Sequence, residues 1–140
     1  MNESMSKYKD IKSQIRKAAE VAKIVTQSVF EGGAKELFEV YPVLTQFRWY
    51  QYTPYYNDGD ACIFGAQTDY IYLNDEEDEF SKWDAEDSNQ ELSPELRAAG
   101  AAVLEFLKVF DDDDYESLFG DHCQVTVTRA GITVEEYEHE

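Results

Sequence analysis

Two runs of alternating polarity, His122 to Arg129 and Ile132 to Tyr137, stand two residues apart across Ala130-Gly131. That is the spacing of a tight antiparallel hairpin, with glycine at a position that tolerates positive φ. Cys123, Val125 and Val127 alternate with Gln124, Thr126 and Thr128, so one face is apolar and the register is well specified. A second β region lies upstream. From Phe47 to Thr53, residues Phe47, Trp49, Gln51 and Thr53 share one face, and Arg48, Tyr50 and Tyr52 the other. Pro54 closes that strand and Asn57-Asp58-Gly59-Asp60 signals a turn. Ala61 to Ala66 and Tyr70 to Leu73 then resume strand character across Gln67-Thr68-Asp69, which reads as a long antiparallel hairpin.

A helix precedes each hairpin. Tyr8, Ile11, Ile15, Ala18/Ala19, Ala22, Val25 and Val29 recur at steps of three and four, with lysines on the other side. The pattern predicts a helix from Ser4 to Phe30, about 40 Å long at 1.5 Å per residue. Gly32-Gly33 is expected to end it, followed by one or two helical turns over Ala34 to Val40 that stop before Pro42. Ser93-Pro94-Glu95 opens the second helix, with a capping oxygen, a proline suited to the first position and an acid at the positive dipole end. Its apolar stripe is Leu96, Ala99/Gly100, Val103, Leu104, Leu107 and Phe110, and Gly100 predicts close approach of a neighbour. Asp111 to Asp114 should end this helix, and Asp113 or Asp114 could cap a short turn through Tyr115 to Phe119. The order is α-β-β-α-β-β. It predicts an α+β two-layer sandwich, in which helices cover one face of a four-stranded antiparallel sheet.

The chain's net charge of −18 is unevenly placed. Residues 1–50 hold eight Lys/Arg against six Asp/Glu, a net of +2. Residues 51–140 hold four bases, Lys82, Arg97, Lys108 and Arg129, against twenty-four acids, a net of −20. Such a field repels nucleic acid and anionic membrane, and attracts basic surfaces over a Debye length of about 8 Å. Residues 1–140 suit one domain, able to bury roughly 68% of its unfolded surface. Cys62 and Cys123 lie in strand-like runs, where buried, reduced thiols are expected; a disulfide would need neighbouring strands and an oxidising compartment. The start is polar and lysine-rich and no run approaches 18 apolar residues, so neither a signal peptide nor a membrane span is expected, and the cytoplasm is the expected location.

Motifs for chemistry are sparse. Asn57-Asp58-Gly59-Asp60 resembles a fragment of a calcium loop, but the run passes into Ala61-Cys62-Ile63-Phe64, which supplies no ligands. His122 and Cys123 are adjacent on a strand and so point to opposite faces, while His139 lies in a charged tail. No zinc spacing, nucleophile elbow or phosphate loop is present. No catalytic residue, metal or cofactor is therefore expected.

Two constellations could bind. The acidic loop, residues 75–91, carries Asp75, Glu76, Glu77, Asp78, Glu79, Asp84, Glu86, Asp87 and Glu91 against one base, Lys82. Phe80 and Trp83 interrupt it, either as pins to the core or as exposed anchors ringed by carboxylates. The second constellation is aromatic: Trp49, Tyr50, Tyr52, Tyr55 and Tyr56 fall within eight residues, on both faces of the first hairpin and at its tip. Arg48 is the one base there, so a nucleic-acid strand is not an expected direct ligand, whereas a free nucleotide is harder to exclude.

Three segments resemble a family of small uncharacterised proteins from tailed-phage genomes and some bacteria. They are Leu37 to Pro42, Trp49 to Phe64, and Phe119-Gly120-Asp121-His122 through Glu135-Glu136-Tyr137, about two thirds of the chain. The string from Gln51 to Asp60 is the most specific part, and Ala61 stands where that family would have proline. The resemblance implies an accessory protein acting on a host protein in an infected bacterial cytoplasm. It carries over no catalytic residues.

Together these readings lead to a non-enzymatic protein that binds a basic host protein surface, as a DNA-mimicking decoy or inhibitor. The expected contact residues are Asp75 to Glu79, Phe80, Trp83, Asp84 and the run Asp111, Asp112, Asp113 and Asp114. The alternative is a nucleotide-binding or sequestering protein using Trp49, Tyr50, Tyr52, Tyr55 and Tyr56. Self-association is a third expectation.

Overall fold

Alternation in the central strands decides where the core lies. In the computed structural model, which describes residues 3–55, 59, 62–87 and 91–138, Phe47, Trp49 and Gln51 of β1 (Gln46–Tyr52) are buried. The intervening residues are half-buried. β4 (Cys123–Thr128) lies antiparallel to β1 and repeats the pattern, burying Cys123, Val125 and Val127. Trp49 stands opposite Val125. β5 (Gly131–Glu136) pairs with the other edge of β4. The remaining edge of β1 holds two short strands, β2 (Gly65–Ala66) beside Gln51 and Tyr52, and β3 (Tyr72–Leu73) beside Phe47 and Arg48.

The chain is thus α+β with an antiparallel sheet, as the alternation predicted. Its details differ from the expected order and strand count. The second arm of the first hairpin is two strands, because the chain leaves the ladder after Gln67 and returns with Ile71 pairing Phe80 instead of β1. Cys62, expected in a buried strand, is exposed ahead of β2, whereas Cys123 is buried; both thiols are free. The last hairpin turns on Arg129-Ala130, and Gly131, at φ 147°, opens β5 rather than occupying the turn. The expected turn at Asn57-Asp58-Gly59-Asp60 lies, apart from Gly59, outside the described residues.

The helices correct the sequence reading more sharply. α1 runs unbroken from Glu3 to Val40, through the two glycines expected to end it. Gly33 serves close packing instead: a β-carbon there would collide with the Phe106 ring of α3 (Pro94–Leu107). Burial of Phe30, Ala34, Leu37 and Phe38 around it offsets the roughly 1 kcal/mol that each interior glycine costs a helix. Leu96, Ala99, Gly100, Val103, Leu104 and Leu107 of α3 are buried, and Ser93 caps it by accepting from the Leu96 N–H at 3.1 Å. Gly100 does admit a neighbour, since a β-carbon there would stand 2.5 Å from the Phe80 ring. Two further helices form: α2 (Lys82–Glu86) inside the acidic segment, and α4 (Asp112–Phe119). Asp111, rather than Asp113 or Asp114, caps α4, in a reciprocal box with Asp114. Aspartates crowd this point because it is the positive pole of α4, which offsets the unfavourable negative end of α3 just before it.

Ring contacts place α1 and α4 against the Phe47–Trp49–Gln51 face: Phe30 edge-on to Trp49 at 6.1 Å, Phe38 stacked on Phe47 at 5.7 Å, Tyr115 edge-on to Trp49 at 5.6 Å. Asp121 ties the end of β1 to the start of β4. Its carboxylate accepts from the Thr53 N–H at 2.8 Å, the Thr53 hydroxyl at 2.7 Å and the His122 N–H at 2.8 Å. Partial burial alone would raise this carboxyl, but those bonds and the nearby His122 hold it below the usual carboxylate range. A group with its folded pKa depressed adds stability above its unfolded pKa and loses it as pH falls through the folded value. Asp121→Asn should therefore cost about 1 kcal/mol at neutral pH, discounted for solvent exposure. The deficit should shrink in acid; urea titrations at pH 7 and pH 3 showing an equal deficit would reject this role.

Candidate functional site

Asn74 sets up the acidic segment. It adopts a left-handed conformation, φ 53°, which asparagine tolerates better than most residues. Its side-chain oxygen accepts from the Thr45 N–H at 2.7 Å, and its amide donates to the Val43 carbonyl at 3.0 Å. Arg48 reaches the Asn74 and Glu76 carbonyls at 3.3 Å each, and Ile71 and Phe80 exchange backbone hydrogen bonds. Asp75 to Glu79 is consequently a short exposed loop tied at both ends. Among the described residues, no cation stands within ion-pair distance of the carboxylates of Asp75, Glu76, Glu77 or Asp78.

Behind the loop is a cleft of about 190 Å³, walled by Glu76, Asp78, Glu79 and Glu91 and floored by Leu73, Phe80 and Leu92. Carboxylates around an apolar floor suit a lysine or arginine side chain, whose stem is aliphatic and whose head is cationic. Tyr72 donates to Glu79 at 3.4 Å; burial and the Glu79 charge raise that phenol, so it remains a neutral donor.

Phe80 and Trp83 part company here. Phe80 is 2% exposed, a core residue against Gly100 and Leu73, and so is not the exposed anchor considered from sequence. Its backbone pairing with Ile71 turns the ring inward. Trp83 on α2 is 73% exposed, with the Lys82 amine 5.9 Å from its ring centroid. It borders a second groove of about 190 Å³ with Asp69, Tyr70, Leu104 and Lys108. Asp84 is committed locally, accepting from the Ser81 N–H at 2.8 Å and the Ser81 hydroxyl at 3.2 Å to cap α2.

The Asp111–Asp114 run does not join this patch. Asp111 and Asp114 cap α4, and Asp112 accepts from the Ala66 N–H at 3.1 Å. That anchor lies beside Gln51 and Tyr52, whereas the acidic loop is anchored beside Gln46. Five strand residues, about 17 Å, separate the two. Three of the four aspartates thus have local structural partners, and the acids expected to act together form two patches.

The aromatic constellation also divides. Trp49 is fully buried, so it offers no ligand surface. Tyr50 and Tyr52 emerge on the opposite sheet face and meet two rings the sequence reading omitted, Tyr72 and Tyr137. Tyr50 lies 4.3 Å from Tyr137 and 5.8 Å from Tyr72, with the Arg48 guanidinium 4.7 Å from the Tyr72 centroid. Burial among these rings raises the Tyr137 phenol. Only strand register could have joined these residues, since Tyr137 is 87 positions after Tyr50. Tyr55 is exposed and stacks on His122 at 4.9 Å, and Tyr56 lies outside the described residues.

Among the described residues, no group of three or more His, Cys, Asp or Glu is arranged to hold a metal ion, and no helix is long and apolar enough to cross a membrane. Set against known proteins, the chain matches no family model, no curated protein sequence and no solved structure.

Proposed function

We propose that this is a non-enzymatic accessory protein that docks its acidic loop on a basic protein surface, competing for the site at which a nucleic-acid-binding or defence enzyme holds phosphates. The observation that carries this reading is the cleft behind Asp75–Glu79, with its four carboxylates over Leu73, Phe80 and Leu92. Trp83, at the second groove, supplies an exposed aromatic contact three residues after Phe80, and the loop is pre-ordered through Asn74 and Arg48, which lowers the entropic cost of docking. Phosphate sites are cationic, so an array of fixed carboxylates competes for them by charge. The resemblance to small phage and bacterial proteins supports a bacterial host enzyme as the target.

Converting Asp75, Glu76, Glu77, Asp78 and Glu79 to Asn/Gln should weaken capture of a bacterial target at least tenfold and flatten its dependence on salt. Affinity capture from bacterial lysate with graded-salt washes, alongside titration of an oligoarginine peptide into both forms, measures this. Unchanged binding in both assays would reject the loop as the site. The nucleotide-binding reading has less support, because Trp49 is in the core and the exposed-face tyrosines pack on one another.

A further inference from the structure

α1 extends well beyond the body it anchors. From Ile11 to Val29 every residue is exposed except Thr26, which is half-buried and donates to its own helix at the Ala22 carbonyl. Helices owe most of their stability to packing of an amphipathic face, and among the described residues no other element buries Ile11, Ile15, Val25 or Val29 of this stretch. Six of its apolar residues nevertheless form a regular seam, with Val21 and Ile24, also exposed, lying off it. Ile11, Ile15, Ala18, Ala22, Val25 and Val29 alternate steps of four and three, the a/d seam of a two-stranded coiled coil. Ile11, Ile15, Val25 and Val29 are each more than half exposed.

Charge and register identify the occupant. Residues 1–29 carry six bases against three acids, a net of +3, which leaves −21 on residues 30–140. A parallel pair would set two such acidic bodies side by side, where they repel. An antiparallel pair lays each basic arm toward the other copy's acidic body. Antiparallel seams place a opposite d, and one register does so throughout: Ile11 opposite Val29, Ile15 opposite Val25, Ala18 opposite Ala22. The same register sets position 8 opposite Gly32, a helix-interior glycine whose β-carbon would have no atom within 4 Å. Among the described residues nothing accounts for that glycine, whereas close approach of a second helix does. Lys9 then runs opposite Glu31 of the second copy, while Lys7 meets Lys35 at paired g positions, so the preference for this arrangement rests on keeping the two acidic bodies apart.

We propose that α1 is a dimerisation arm, pairing with α1 of a second copy as a two-fold antiparallel coiled coil centred between Ala18 and Ala22. Two-fold pairing closes on itself and uses the same surface from both copies. The proposal is independent of the acidic loop.

Sedimentation equilibrium of the full chain from low micromolar to near-millimolar concentration should show a monomer–dimer equilibrium. Ile15→Glu should raise its dissociation constant at least tenfold while leaving the near-ultraviolet signal of buried Trp49 unchanged. In a Cys62→Ser background, mixed Ile15→Cys and Val25→Cys chains should form the mixed disulfide in preference to either homodimer. A monomer at every concentration, or a dimer indifferent to Ile15→Glu, would overturn the proposal. A homodisulfide of Ile15→Cys would overturn the antiparallel arrangement. A chain that stays monomeric yet binds phosphatidylglycerol vesicles through this face would assign the arm to a lipid surface instead.

Discussion

Gln51→Leu should lower the stability of this protein by about 3 kcal/mol, the largest effect expected of any near-isosteric change in the chain. Gln51 is fully buried, and its amide links three elements. It accepts from the Trp49 indole N–H at 3.0 Å, and donates to the Tyr115 carbonyl at 3.0 Å and the Gly120 carbonyl at 2.7 Å. Leucine would fill the volume yet take this partner from the buried Trp49 indole donor and Tyr115 carbonyl, while the half-buried Gly120 carbonyl keeps the Cys123 thiol at 3.6 Å. Each stranded group costs roughly 1–3 kcal/mol, though relaxation keeps the total below the sum. At roughly 4 °C per kcal/mol for a domain of this size, the melting midpoint should fall by about 12 °C. Trp49→Phe removes the stranded indole donor, so in the Gln51→Leu background it should cost less than in the wild type. A loss under about 1 kcal/mol, or strict additivity of the two changes, would show that the network does not bind the sheet to α4.

Phe80→Ala and Trp83→Ala, three residues apart, should have opposite consequences. Phe80 fills the space beside Gly100 and floors the acidic cleft, so truncating it should cost about 3–5 kcal/mol. Trp83 projects into solvent, and its truncation should change stability by less than about 0.5 kcal/mol. If the acidic edge docks on a basic protein, Trp83→Ala should weaken that binding severalfold with the fold intact. Urea denaturation of both variants, followed by the capture assay for Trp83→Ala, separates the core role from the surface role. A stable, fully folded Phe80→Ala protein would contradict the burial described above.

Local patterns in the chain were strong enough to specify much of the architecture. The alternation in Phe47–Gln51 and Cys123–Val127 specified which side chains enter the core, because a one-residue slip would expose all of them. Ser93-Pro94 and Gly100 were legible for similar reasons: a cap and a close contact each act through one residue's own geometry. Gly33 was misread because a glycine that ends a helix and one that admits a neighbouring ring look alike until Phe106, 73 positions later, is in place. The site divides the same way. The charge of Asp75–Glu79 was plain in the sequence, but whether Phe80 or Trp83 faced solvent depended on the Ile71–Phe80 pairing.

The sequence by itself determined the strand faces, the capping of the helix at Ser93 and the surplus of acid after residue 50, all properties of residues close together along the chain. Tertiary structure alone decided that the acids form two patches rather than one, that Trp49 is core, and that Tyr50 and Tyr52 join Tyr72 and Tyr137. Those outcomes depend on contacts between residues far apart in sequence, which composition and periodicity do not encode.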